Sequence, residues 1–207
     1  MVSDIKIPDS PLARQAEELV RSLSSDMLFN HVMRCYWFAE LFARQRRLSV
    51  DHELMFLSSV LHDLGFTQLG RGRHRFEIEG ANAARKFLLE NGVQNDRAWK
   101  VWDNIALHMW DINLFRDDTS QSLELGILYD VIGVANVKLN PADVEEITRR
   151  YPRLSFKHGF YELLSEELDS KQPYEHAHHI CTCIAHSRSP VSMPNAQVIL
   201  NNAPFDE

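Results

Sequence analysis

A histidine and an aspartate stand side by side at the end of an apolar run, in Leu61-His62-Asp63-Leu64-Gly65. Imidazole nitrogen and carboxylate oxygen are the ligands a protein uses to hold a divalent metal that activates water. Three residues elsewhere in the chain can join them. His31 lies in the stripe Leu28, His31, Cys35, Phe38, Phe42, and Asp130 in the stripe Leu123, Ile127, Asp130, Val131, Val134. His108 shares a helical face with Val101 and Ile105. A buried, unpaired carboxylate costs several kcal/mol even after relaxation. It must be protonated, paired with a cation or bound to a metal. The apolar face around Asp130 offers no lysine or arginine at helical spacing. One divalent ion between Asp130, His31 and His62 would remove the cost for all three, and Asp63 completes a four-ligand set. Two nitrogens and two oxygens suit zinc, iron or manganese better than calcium or magnesium, and zinc is the first expectation. Such an ion stays catalytic if it accepts water as a fifth ligand. The competing reading is that each histidine is a core residue bonded to backbone.

These residues need helices to position them. Apolar positions recur at helical spacing over residues 11–23, 27–46, 53–64 and 77–90. A fifth helix, capped by Asp96, carries His108, and others cover 122–137, 141–151, 156–168 and 174–186. Ser24-Ser25-Asp26 and Asp51 offer N-caps, Asn140-Pro141 starts a helix, and Gly65 is placed to end the third. No run reads as a strand and no repeat is visible. The expectation is an all-α bundle of eight to nine helices around one core and one metal site. An arm (1–10) precedes the helical domain (11–188). An irregular tail (189–207) follows, broken by Pro190 and Pro194.

Composition narrows the class. Hydrophobic residues make up 44% and charged residues 25%, as in a soluble globular protein. A net charge of -7 argues against nucleic acid as a partner. The first residues lack the basic-then-apolar order of a signal peptide. The most apolar stretch, 125–137, is too short to span a bilayer and contains Asp130. Three cysteines, Cys35, Cys181 and Cys183, form no disulfide framework and fit a reducing, cytoplasmic setting. Cys35 reads as a core residue rather than a nucleophile. His176, His179, Cys183 and His186 recur at helical spacing, but one straight helix does not easily wrap an ion tetrahedrally.

The order His31, then His62-Asp63, then Asp130 resembles the HD-domain superfamily of helical, metal-dependent hydrolases. Within it the chain is similar to the cyanamide hydratase-like group. The blocks Asn30-His31, Leu61-His62-Asp63-Leu64-Gly65, Arg75-Phe76-Glu77-Ile78-Glu79-Gly80-Ala81, Ile105-Ala106-Leu107-His108, Asp130-Val131-Ile132-Gly133 and Tyr151-Pro152-Arg153-Leu154 occur in the same sequence order. The resemblance covers most of the chain, from about residue 12 to 187. The resemblance implies that His31, His62, Asp63 and Asp130 bind the metal and that His108 handles substrate beside it. After His108 the chain has Met109-Trp110-Asp111-Ile112 where that group carries a Thr-Ser-Pro-Gly-like turn.

The implied reaction is hydration of a small nitrile, cyanamide to urea, with His108 and Asp63 as catalytic residues and a small molecule as the partner. Phe38, Phe42, Trp99 and Trp102 are candidates for pocket walls, against the plainer reading of core packing. A second expectation is hydrolysis of a phosphoester or nucleotide, with Arg71, Arg73, His74 and Arg75 clamping phosphate. A third is a metal-binding module without turnover. A homo-oligomer is compatible with all three.

Overall fold

The computed structural model describes residues 2–133 and 138–170. Among them are eight α-helices and no strand. They are α1 (Pro11–Leu23), α2 (Asp26–Arg46), α3 (His52–Leu61), α4 (Phe76–Glu90), α5 (Asn95–Ala106), α6 (Asp118–Ile132), α7 (Pro141–Arg150) and α8 (Phe156–Ser170). Short 3-10 turns occupy Val2–Asp4, Leu64–Phe66 and Asp111–Phe115. The helix expected over 174–186, with its histidine stripe, and the tail beyond it lie outside the described residues. No helix among the described residues is long and apolar enough to cross a membrane.

Local chemistry sets most helix starts. The side chains of Ser10, Ser25, Asp51, Asp117 and Asn140 each accept a backbone N–H in the first turn of α1, α2, α3, α6 and α7. Such a cap is worth about 1 kcal/mol. Asp117 starts α6 four residues before the expected boundary, because its carboxylate holds the Ser120 N–H. Asp96 is not the cap of α5. It lies inside the first turn, where its charge favours the helix N-terminus.

The central element is α2, buried on nearly every face from Leu28 to Ala43, as expected of a helix surrounded by others. Helix α6 lies directly against it. A Cβ at Gly126 would meet the Cys35 carbonyl oxygen at 2.4 Å, so only glycine permits this approach. The close crossing brings Asp130, one turn further along α6, opposite His31 and Arg34 of α2.

Gly65 does something other than end a helix in the left-handed conformation. Helix α3 stops at Leu61, and the chain continues through a 3-10 turn, Leu64–Phe66. A Cβ at Gly65 would lie 2.0 Å from the Phe76 carbonyl oxygen. Its missing side chain therefore lets the turn carrying Asp63 nest against the start of α4.

Two apolar clusters result. The larger one surrounds α2 and includes Val32, Phe38, Phe56, Leu57, Leu61, Ile105 and Ile127. The smaller one joins Leu28, Phe66 and Phe76 to Phe156, Phe160, Leu164 and Leu168 of α8. The histidine cluster lies where they meet.

Candidate metal centre

Three histidines, each anchored through Nδ1, build the site. His62 follows the last turn of α3 and donates Nδ1–H to the Ser59 carbonyl at 2.6 Å. His108 repeats the arrangement after α5, donating to the Ile105 carbonyl at 2.6 Å. Both bonds satisfy carbonyls that a helix C-terminus would leave without an intrahelical partner. They also fix the tautomer that carries its lone pair on Nε2. His31, in the second turn of α2, donates Nδ1–H to Asp130 Oδ2 at 2.7 Å. The rings gather closely, with centroids 5.2 Å apart for His31 and His62 and 4.9 Å for His62 and His108.

Asp63 completes the cluster and is its unusual member. It is 3% exposed, and neither carboxylate oxygen has a hydrogen-bond partner. Its Oδ2 lies 3.4 Å from His31 Nε2 and 3.4 Å from His62 Nε2. Ligands at about 2.1 Å from a tetrahedral zinc are separated by about 3.4 Å, so the spacing suits a shared ion. Burial pushes the Asp63 carboxyl up, against the opposing pull of His31 and His108. Burial, and then the neighbouring His31, push His62 down to about 3, which keeps its imidazole neutral. A neutral imidazole is the form that binds metal. His62, Asp63 and His108 form one group whose ligand atoms could hold an ion; His31, Cys35 and His62 form another. The Cys35 sulfur is 3.6 Å from His31 Nδ1. Burial, followed by the charge of Asp130, pushes this thiol well up and keeps it protonated.

Asp130 stands on the far side of the His31 ring. Its own helical face carries no lysine or arginine, but cations reach it from other elements, so it does not need a metal to be paired. Arg34, fully buried on α2, donates Nε to Oδ1 at 2.8 Å and Nη2 to Oδ2 at 2.9 Å. Arg153 donates Nη1 to Oδ1 at 2.8 Å and Nη2 to the Asp130 carbonyl at 3.1 Å. Burial alone would raise the Asp130 carboxyl. The hydrogen bonds from His31 and Arg34 outweigh it and hold the group below the ordinary carboxylate range. Arg34 Nη1 also reaches the Tyr151 and Pro152 carbonyls, which ties α2 to the segment ahead of α8.

The walls differ from those expected. Phe38 and Phe42 pack on Tyr129, away from the histidines. Trp99 is partly exposed beneath Arg85, and Trp102 donates its indole N–H to Asn82. The site is enclosed instead by Phe156, stacked on His31 at 4.7 Å, by Phe160 at 5.5 Å and by Phe76 beside His108 at 5.8 Å. Phe66 bridges Phe76 and Phe160. A sequence signal existed for two of these, since Phe156 and Phe160 are one turn apart on α8. Arg34 likewise falls one turn after His31.

The basic loop is turned outward. Arg71 pairs with Glu166 of α8 at 3.1 Å on the exposed surface, and Arg75 lies over the Trp110 ring. No known family model matches this chain, and no curated protein sequence matches it.

Proposed function

We propose that the chain is a metal-dependent enzyme of the HD-domain type that hydrates a small nitrile, with cyanamide to urea as the first substrate to test. One observation carries this reading: a buried carboxylate without a hydrogen bond, Asp63, faces the Nε2 atoms of His31 and His62 at 3.4 Å each. A carboxyl buried this way must be protonated, paired or metal-bound, and the two Nε2 atoms facing Asp63 favour the metal. His31, His62 and Asp63 would hold a divalent ion, zinc first and iron or manganese next, with His108 beside it. Such an ion lowers the pKa of bound water toward about 7 and so supplies a nucleophile at neutral pH.

The chain's own residues do the rest. Asp130 orients His31 and raises the basicity of its Nε2, as carboxylates behind metal-bound histidines do. The resemblance makes Asp130 a fourth ligand; its bonds to Arg34, Arg153 and His31 favour the orienting role. His108 has its Nδ1–H committed to Ile105, so Nε2 is the atom that takes a proton from water and returns it to the nitrile nitrogen. The phenylalanines exclude bulk water and favour a small, uncharged substrate over a phosphoester. The arginines nearest the site already serve Asp130, and Arg71 serves Glu166.

The test measures metal per chain and urea formation together. About one ion per chain, with activity lost on chelation and in Asp63→Ala and His62→Ala, supports the reading. Activity indifferent to either substitution sinks it. Bound metal without turnover of nitriles or phosphoesters leaves a metal-binding module.

A further inference from the structure

The candidate site is closed: His31, His62, Asp63 and His108 are each 3% exposed or less. A site for a small molecule needs a way in, and one wall differs from the others. On one side the histidines are backed by α2, α3 and α5, all rooted in the larger core. On the other they are roofed by α8, which packs through the separate smaller cluster. Phe156 and Phe160 of α8 stack on each other at 4.9 Å and both lie against His31.

The segment leading into this roof is strained. Leu154 and Ser155 have φ of 47° and 60°, two successive non-glycine residues in the left-handed region. A side chain there crowds the following carbonyl at about 1–2 kcal/mol per residue, so only surrounding contacts hold it. Arg153, immediately before them, is fixed to Asp130, whereas Glu166 on α8 is held by an exposed pair with Arg71. Strain in the linker and a fixed point just before it describe a hinge, with the buried face of α8 holding the closed form.

We propose that α8 is a hinged cover over the histidine cluster, turning at Leu154–Ser155, and that Phe156 and Phe160 set the size of the molecule that passes. This rests on the metal-site reading only for what is admitted, namely small uncharged molecules. Cys35 supplies an internal reporter, because it is fully buried against His31, the ring on which Phe156 and Phe160 lie.

The experiment labels Cys35 in metal-free full-length protein carrying Cys181→Ser and Cys183→Ser, using N-ethylmaleimide and the bulkier N-phenylmaleimide. Local opening predicts labelling nearly independent of low urea, well before global unfolding. Hydrogen exchange should show α8 opening together with the labelling while α2 and α3 stay protected. Phe160→Ala should speed labelling on the order of tenfold and narrow the preference for the smaller reagent, with Phe160→Leu closer to the original. Replacing Leu154 and Ser155 with glycine should slow labelling, because the closed form loses its strain. Labelling that tracks global unfolding, or α8 exchange no faster than that of α2, overturns the proposal. Metal content is measured separately. Local opening without metal binding would sink the metal site and leave the cover standing, and metal binding with labelling only on global unfolding would do the reverse.

Discussion

Asp63 and Asp130 are both buried carboxylates beside His31, one at 3.4 Å from its Nε2 and the other at 2.7 Å from its Nδ1. The protein treats them in opposite ways. Asp130 receives two guanidinium groups and an imidazole, so its charge is fully answered within the fold. Asp63 receives no hydrogen bond at all. Burial drives its carboxyl up while the bonded Asp130 is driven down. Two neighbouring acids of the same chemical type thus separate into a structural group, whose partners are internal, and a group whose oxygens could accept a cation.

The sharpest way to break that contrast is to neutralise each acid in turn, in metal-free protein, and follow unfolding in urea. Asp130→Asn leaves Arg34 buried without its counter-charge, and removing one partner of a buried pair costs about 3–5 kcal/mol. A loss below about 1 kcal/mol would mean that Asp130 is not the internal counter-ion described here. Glu124 offers a third case. Buried on α6, it is raised to about 9 by desolvation, with a bond from Asn113 opposing and Asp111 adding to the rise. The unfolded carboxyl releases its proton near 4.5, whereas the folded one keeps it to about 9. The folded state therefore binds more protons across that window. Its contribution is complete below pH 4.5 and declines toward pH 9, by at most about 1.4 kcal/mol per pH unit. Glu124→Gln should flatten the stability profile between pH 6 and 9; an unchanged slope would show that Glu124 is ionised in the fold.

Why one acid was legible in the sequence and the other misleading follows from where their partners lie. His62-Asp63 sits at a helix end beside a glycine, and its neighbours in space include its neighbours in the chain. The eight described helices were likewise legible, because periodicity and caps are local. Asp130 looked unpaired because helical spacing searches only its own helix. Arg34 and Arg153 reach it from 96 and 23 residues away. The aromatic enclosure failed for the same reason. Phe38 and Phe42 share a face with His31 in sequence terms, yet α6 occupies that side through Tyr129. The walls come from α8 and the segment after Asp63, whose approach depends on a glycine contact that no periodicity encodes. The basic loop stood out as a charge run, and the pair its Arg71 makes with Glu166 of α8 lies on the surface.

Neutralising Asp63 sharpens the comparison by reversing its sign. Asp63→Asn removes a desolvated carboxyl that lacks a hydrogen bond, so metal-free protein should gain about 1–2 kcal/mol. The same substitution should abolish retention of zinc through gel filtration, measured by elemental analysis. A variant that loses stability without metal would show that Asp63 has internal partners after all, and the contrast with Asp130 would fail.

The smallest effect concerns the exposed clasp. Arg71 and Glu166 are each more than half exposed, and such pairs contribute about 0–1 kcal/mol. Glu166→Gln should therefore leave global unfolding in urea almost unchanged. Because the pair joins the loop after Asp63 to the helix above it, the whole of that small change should appear in the local opening of α8. Exchange of α8 amides should quicken by no more than about fivefold at low salt. At 1 M salt, where the Debye length is about 3 Å, the parent and the variant should exchange alike. A difference that survived high salt would place the effect in packing rather than charge.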